Sequence, residues 1–160
     1  MKIVEYKDKY QEEVKDLLVE LEEYIVSIDK DNLDTVGKDY RDKMLNYDLS
    51  DIYNNDGKCY LMIEKEKVIG MIMGKIVKYN EIDYLDYKCP KKGEITELIV
   101  TKKVRSSGVG TLLINKMEDY FKKMNCEYVC VDVFSYNEMA FIFYNKHGFH
   151  SRMQTLIRKI

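Results

Sequence analysis

A short basic turn rich in glycine and serine is the part of the chain best suited to bind an anion. It reads Arg105-Ser106-Ser107-Gly108-Val109-Gly110-Thr111, follows an apolar run at 95–100 and leads into a helical pattern. A helix N-terminus carries about four unpaired N–H groups and the positive end of the helix dipole. Gly108 and Gly110 lack a Cβ, so a phosphate can approach the backbone, and Arg105 adds a fixed positive charge. The turn therefore predicts a polyphosphate site at a helix N-terminus.

A second motif lies further along the chain and follows a strand-like run at 127–134. It spans residues 137–149 and reads Asn-Glu-Met-Ala-Phe-Ile-Phe-Tyr-Asn-Lys-His-Gly-Phe. The first turn fits neither the dinucleotide pattern G-x-G-x-x-G nor the Walker pattern. Instead, R-x-x-G-x-G at 105–110 and N-x-x-A-x-x-F-Y-x-x-x-G-F at 137–149 resemble the two signatures of the GNAT superfamily of acyl-CoA-dependent N-acetyltransferases. The resemblance covers most of the chain and is specific from residue 94 onward.

The resemblance implies that acetyl-CoA binds as a co-substrate between the strands predicted at 94–100 and 127–134. Its pantetheine arm would pair with the backbone of the first of these strands, at Leu98, Ile99 and Val100. Its pyrophosphate would lie on the basic turn, on Arg105, Ser106, Ser107, Gly108, Val109, Gly110 and Thr111.

Asn137 occupies the family's asparagine position, where it would bond to the pantetheine amide. An asparagine at this point also suits a helix N-cap, and the two roles are compatible. Lys103 and Lys146 either reach the 3′-phosphate or are ordinary solvated lysines. His147 and His150 lie outside the motif residues, and His147 is typical of a cation at a helix C-terminus.

Acetyl transfer to an amine requires a base for the ammonium and an acid for the departing thiolate. Tyr144 occupies the family's tyrosine position, which implies the role of general acid. A phenol with a reference pKa of about 10 keeps its proton at neutral pH, as an acid must. The structural alternative is a half-buried helix tyrosine beside Phe143.

Three carboxylates are candidates for the general base, in the order Glu97, Asp132, Glu94. Glu97 interrupts the apolar run at 95–100, and Asp132 stands among β-branched residues of the predicted strand at 127–134. Both settings are unusual for a carboxylate. Glu94 and Glu97 would point to opposite faces of a regular strand unless a bulge intervenes. A water chain to bulk solvent is a further alternative.

Composition restricts the class of protein. The 160 residues, 46% of them hydrophobic, can bury one core, so we expect a single domain over 1–160. No apolar run is long enough to span a membrane, and two histidines with four scattered cysteines indicate no metal site. We expect a cytoplasmic protein with reduced cysteines.

Charge is distributed unevenly along the chain. Residues 1–56 hold 8 Lys/Arg against 16 Asp/Glu, a net of −8, whereas 57–93 and 94–160 each carry +3. No basic stripe with interleaved aromatics indicates nucleic-acid binding. An acidic lining would favour a cationic acceptor, although these acids also suit solvated helix faces. Oligomeric state stays open, with a homodimer among the alternatives.

The periodicity predicts a mixed, mostly antiparallel sheet flanked by about four helices, an α/β fold that matches the order of the GNAT fold. We expect strands at 2–6, 58–64, 68–77, 94–100, 127–134 and within 149–159. Helices are expected at 10–28, from Asp34 or Thr35 to about Asp48, at 108–124 and at 137–147. A polar, aromatic-rich loop should join the third and fourth strands.

The function expected from the resemblance is acetyl transfer from acetyl-CoA to a primary amine. A small cationic amine would suit the acids at 20–34 and Glu81, Asp83 and Asp86. A protein N-terminus or lysine would need an open groove, which Tyr79, Tyr84 and Tyr87 could line. A CoA-binding sensor or regulatory module with little turnover is the alternative from another class.

Overall fold

A five-stranded mixed sheet forms the centre of the computed structural model, which describes residues 1–160. Its strands lie side by side in chain order. They are β1 (Lys2–Glu5), β2 (Lys58–Glu64), β3 (Lys67–Ile76), β4 (Lys92–Val100) and β5 (Tyr128–Val131). The first four pair antiparallel, and β5 pairs parallel to β4. The predicted mixed, mostly antiparallel α/β fold is confirmed.

Two helices cover each face of the sheet. On one face lie α1 (Gln11–Ile28) and α2 (Tyr40–Asn54), and on the other α3 (Val109–Lys123) and α4 (Glu138–Lys146). The strands alternate between the two cores, because successive side chains point to opposite faces. In β2, for example, Leu61 packs under α1 and α2, and Met62 packs under α3. Burial on both faces explains why β2 and β3 are almost continuously apolar.

β4 contains a bulge at its centre and separates from β5 just beyond it. Met73 of β3 lies opposite Glu97, but the next residue, Gly74, lies opposite Ile95, so Thr96 is the extra residue. Pairing between β4 and β5 ends at Ile95 and Val131, while β4 continues to Val100. The backbone of 96–100 therefore has no neighbouring strand on its β5 side.

Two predicted elements differ from the structure. The second helix begins at Tyr40 rather than at 34 or 35, because Asp29 accepts hydrogen bonds from the N–H groups of Asp31, Leu33 and Asp34 and folds them into an irregular loop. The predicted strand within 149–159 is absent. Residues 150–160 are exposed and form no backbone hydrogen bonds with any strand of the sheet.

Candidate active site

The basic turn leads into α3 through a left-handed residue. Gly108 is the N-cap of α3 with φ +86°, a conformation that favours glycine, and a Cβ there would meet open space. Gly110 is a glycine for a different reason, because a Cβ at this position would come within 3.1 Å of the Phe143 ring. The open approach to the backbone is therefore at Gly108, while Gly110 lets α4 pack closely on α3.

Arg105 is held against α1 in this structure. Its Nε donates to the Val100 carbonyl at 3.0 Å, and its guanidinium lies 3.6 Å from Glu20 and over the Tyr24 ring. Glu20 also accepts hydrogen bonds from the Thr101 hydroxyl at 3.1 Å and the Lys102 N–H at 2.9 Å. One α1 carboxylate thus fixes the chain between β4 and the turn.

Asn137 caps α4, as one of its two predicted roles requires. Its Oδ1 accepts a hydrogen bond from the Ala140 N–H at 3.1 Å, and the Tyr24 hydroxyl lies 3.4 Å from the same oxygen. Thr111 contacts the end of the same helix, because its hydroxyl lies 3.2 Å from His147 Nε2. His147 is the C-cap residue of α4, at the helix C-terminus expected for it, and it contacts α3 through Thr111.

Tyr144 is buried on the inner face of α4. Its ring packs edge-on against Phe143 and Phe149, with centroids 5.5 and 5.4 Å away. Burial, and then the nearby carboxylate of Glu97, raise the pKa of the Tyr144 phenol above its ordinary value. The phenol therefore keeps its proton at neutral pH.

Glu97 lies just beyond the bulge of β4 and faces α1 and α2. It is largely buried, and burial raises the pKa of Glu97 to about 8, with the negative charges of Asp48 and Glu22 contributing. The ionised form of such a carboxyl group binds a proton tightly, and its fraction grows as pH rises towards 8, so the ionised group can accept a proton from an amine.

Two further residues that we did not predict stand beside Glu97. Asp48 of α2 is mostly buried; burial and then Asp51 raise the pKa of Asp48 to about 6. Tyr40, also of α2, donates to Glu22 of α1 at 3.3 Å, and burial raises the pKa of Glu22. A signal for Asp48 exists in the sequence, because it interrupts the apolar stripe formed by Leu45 and Ile52.

The other two candidate bases have different surroundings. The expectation that Asp132 lies within a strand is wrong, since β5 ends at Val131 and Asp132 is exposed. The bulge turns Glu94 to the same face as Glu97, where Lys75 lies 3.6 Å from Glu94 and 2.6 Å from Asp51. Glu94 therefore has a cationic partner, and Glu97 has none.

The aromatic loop between β3 and β4 folds on itself. The Tyr79 ring lies 6.3 Å from that of Tyr84 and 5.8 Å from that of Tyr87, and the Tyr79 hydroxyl donates to the Pro90 carbonyl. Asp83 accepts a hydrogen bond from the Asn80 N–H within the same loop. These residues stabilise the loop, and Asp83 is not among the groups that affect Glu97.

Comparison with known proteins identifies the family. The sequence model of the acetyltransferase (GNAT) family matches residues 18–149. The chain therefore belongs to this family, which confirms the resemblance drawn from the two motifs.

Individual relatives agree with this assignment. The chain is 31% identical over 96 residues to the uncharacterised N-acetyltransferase MJ1530 of Methanocaldococcus jannaschii, which is 59% of this chain and 54% of that protein. The match thus spans about half the length of this curated relative. A mutant form of the BH1408 protein from Bacillus halodurans has the same fold, with a TM-score of 0.79 and 21% identity over 100% of this chain and 99% of that one.

A third relative was solved with a ligand. Aminoglycoside N-acetyltransferase AAC(6')-Iy, in complex with CoA, superposes with a TM-score of 0.70 and 14% identity over 99% of this chain and 98% of that one. At this identity the likeness is one of fold. None of the helices in our chain is both long and apolar enough to cross a membrane.

Proposed function

We propose that this protein transfers an acetyl group from acetyl-CoA to a primary amine. The observation that carries the proposal is the family match over residues 18–149, which includes both motifs. Two features of the fold agree with it. The backbone of β4 beyond Ile95 has no partner on its β5 side, and a Cβ on Gly108, at the start of α3, would meet open space.

The proposed binding mode for acetyl-CoA follows from these two features. The pantetheine arm would extend β4 at Leu98, Ile99 and Val100, where backbone groups lack a neighbouring strand. The pyrophosphate would lie at the N-terminus of α3, where N–H groups and the helix dipole favour an anion. The related aminoglycoside N-acetyltransferase that was solved with CoA supports CoA as the carrier.

Two residues would move the protons of the reaction. Glu97 accepts a proton from the acceptor ammonium, and the free amine nitrogen then forms a bond to the thioester carbonyl carbon. The carbon–sulfur bond breaks, and the Tyr144 hydroxyl donates its proton to the departing thiolate. The nitrogen of the new amide loses its extra proton, which restores the Tyr144 hydroxyl directly or through solvent. Their raised pKa values fit these opposite roles, because ionised Glu97 binds a proton tightly and Tyr144 retains one to give.

The acceptor that we propose is a cationic amine rather than a protein. Glu22, Asp48 and Glu97 form a cluster, called here the acceptor cluster, between α1, α2 and β4. No lysine or arginine lies within salt-bridge distance of any of the three. A cationic substrate would supply the missing positive charge.

Thiol release from acetyl-CoA, measured with a mixed panel of amines, aminoglycosides and peptides, tests the proposed function. We expect release that depends on a small amine. Calorimetric binding of acetyl-CoA without thiol release in the presence of any acceptor would instead support a CoA-binding regulatory module. Release with peptides alone would favour a protein acceptor.

A further inference from the structure

The facing surfaces of α2 and β4 carry more carboxylates than the protein neutralises. Asp48 and Asp51 of α2 lie on the same face of the sheet as Glu94 and Glu97 of β4. Lys75 is the only cation among them, and it contacts Asp51 at 2.6 Å and Glu94 at 3.6 Å. Asp48 and Glu97 are left without a counter-ion, although both are largely removed from water.

Asp48 stands out because one of its oxygens has no hydrogen-bond partner. Its Oδ2 is fully buried and unpaired. Buried carboxylate oxygens are almost always hydrogen-bonded, since an unpaired one is costly to keep away from water. Asp51, one turn along the same helix, shows the usual solution with Lys75 and Asn55 as partners. The environment of Asp48 therefore lacks a donor that a ligand could provide.

The reacting amine alone does not account for two unpaired carboxylates. Glu97, as the base, must take a proton and so becomes neutral during the reaction. A neutral carboxyl cannot hold a cation, so an ammonium group that stays charged needs another partner. Asp48, with a pKa near 6 against about 8 for Glu97, stays ionised at neutral pH.

We propose that Asp48 determines acceptor specificity by binding a second ammonium group of the acceptor, so that the acceptor is a diamine or polyamine. This inference rests on the proposed function. Glu22, which accepts a hydrogen bond from the Tyr40 hydroxyl, adds negative charge on the α1 side of the cluster. A monoamine of equal length would leave Asp48 buried without a partner. Sites that hold buried polar groups discriminate against ligands that leave those groups unpaired.

A pair of amines with the same carbon chain tests the inference: 1,4-diaminobutane and butylamine. For the unaltered protein we expect kcat/KM for the diamine to exceed that for the monoamine by about 10- to 100-fold, the scale of a close charge pair that is lost. In Asp48→Asn, KM for the diamine should rise by a similar factor with kcat nearly unchanged. The butylamine parameters should stay within about twofold.

Two variants serve as comparisons. Asp42→Asn makes the same change on the exposed side of α2 and should leave KM and kcat unchanged for both amines. Glu22→Gln should raise KM for the diamine by less than Asp48→Asn does. Calorimetric titration of each amine into the protein loaded with CoA gives a readout that does not depend on turnover. There the preference for 1,4-diaminobutane should be present and should disappear in Asp48→Asn.

The outcomes separate the inference from the proposed function. Equal kcat/KM and equal affinity for the two amines would overturn the inference while the proposed function stands. An Asp48→Asn variant that loses kcat for both amines alike would also overturn it, since Asp48 would then act on Glu97. The absence of thiol release with every amine would contradict the proposed function itself.

Discussion

At the scale of single residues, burial raises the pKa of both the proposed acid, Tyr144, and the proposed base, Glu97. Burial makes the ionised forms of Tyr144 and Glu97 unfavourable, and the two groups are close enough for the charge of Glu97 to affect Tyr144. The Tyr144 phenol therefore stays protonated at neutral pH. The Glu97 carboxyl, unlike an ordinary one, also binds a proton at neutral pH. Burial of each group thus prepares the two proposed roles.

Replacing Tyr144 by phenylalanine tests the proposed acid. Tyr144→Phe keeps the ring contacts with Phe143 and Phe149 and removes the proton. We expect kcat to fall by roughly 10²–10⁴-fold with little change in acetyl-CoA affinity, because general acid catalysis contributes on that scale. Tyr60→Phe is a matched control, since Tyr60 is equally buried in the same core. Equal activity in both variants would make Tyr144 a packing residue.

The raised pKa of Glu97 predicts how both rate and stability depend on pH. If Glu97 is the base, kcat/KM should rise with pH and level off above about 8, and Glu97→Gln should lose this limb. Stability should follow the opposite course. The native state keeps a proton on Glu97 between its unfolded pKa of 4.5 and about 8, so the free energy of unfolding falls as pH rises through this range.

Thermal melts of both proteins measure this effect. The difference in Tm between Glu97→Gln and the unaltered protein should grow in favour of the variant from pH 5 to pH 8, because glutamine does not titrate. A constant difference over this range would contradict a raised pKa at Glu97. Asp132→Asn provides the comparison for the rate, since Asp132 is exposed.

Sequence reasoning reached the residues whose type conflicts with their local pattern. Glu97 is recognisable because a carboxylate interrupts an apolar strand, and Asn137 because a helical pattern follows it. Asp48 conflicts with the stripe of α2 in the same way, but the predicted helix ended at this residue, so its neighbours on the buried face were not considered. The predicted C-terminus of this helix lies about one and a half turns before the end of α2. The prediction therefore did not assign Asp48 of the acceptor cluster to the buried face of the helix.

At the scale of elements, the N-terminus of α3 is the part on which the proposed phosphate site depends. Gly108→Asp would place a negative side chain where the N–H groups open to solvent. We expect acetyl-CoA affinity, measured by calorimetry, to fall by at least about tenfold, because a charge opposite to the dipole's preference enters the site.

Gly148 offers a close control for this substitution. It has φ +84° against +86° for Gly108, and a Cβ at either position would meet open space. Gly148→Asp therefore introduces the same backbone strain and the same charge, but near the end of the second motif (137–149) instead of at the N-terminus of α3. If both variants bind acetyl-CoA equally well, the pyrophosphate does not lie at Gly108.

Elements with a strong local pattern were predictable, and those that depend on distant partners were not. β2, β3 and α3 match their expected ranges closely, since periodicity and turn residues define them. The start of α2 depends on the side chain of Asp29, and the bulge at Thr96 depends on pairing with β3. Neither interaction is visible in a local window of sequence.

At the scale of the whole molecule, the C-terminal segment 150–160 is notable because several of its apolar side chains are exposed. Leu156 is 91% exposed, and Met153, Ile157 and Ile160 are also exposed. The outer edge of β5 is unpaired, because β5 is the last strand of the sheet. A protein with both an exposed apolar segment and an open sheet edge is suited to strand pairing with another chain.

We therefore expect the protein to form a homodimer in which segment 150–160 of one copy pairs with β5 of the other. Leu156→Lys should shift the protein to monomer in sedimentation velocity. Leu33→Lys, at an exposed leucine of the loop between α1 and α2, should not. A monomeric parent protein would contradict this expectation, and protection of residues 150–160 from hydrogen exchange in that monomer would indicate pairing with its own β5.

The contact between Glu20 and Arg105 has a consequence for the order in which substrates bind. A pyrophosphate that binds the Arg105 guanidinium must displace this group from Glu20 and Tyr24. Binding of acetyl-CoA therefore competes with the internal ion pair between Arg105 and Glu20. Because α1 carries both Glu20 and Glu22, we expect the binding of the carrier and the binding of the amine to be linked through this helix. We expect compulsory-order kinetics, with CoA competitive against acetyl-CoA and noncompetitive against the amine. Glu20→Gln removes the negative charge that competes for Arg105, so acetyl-CoA should bind more tightly and dissociate more slowly. Release of the product CoA would then limit turnover.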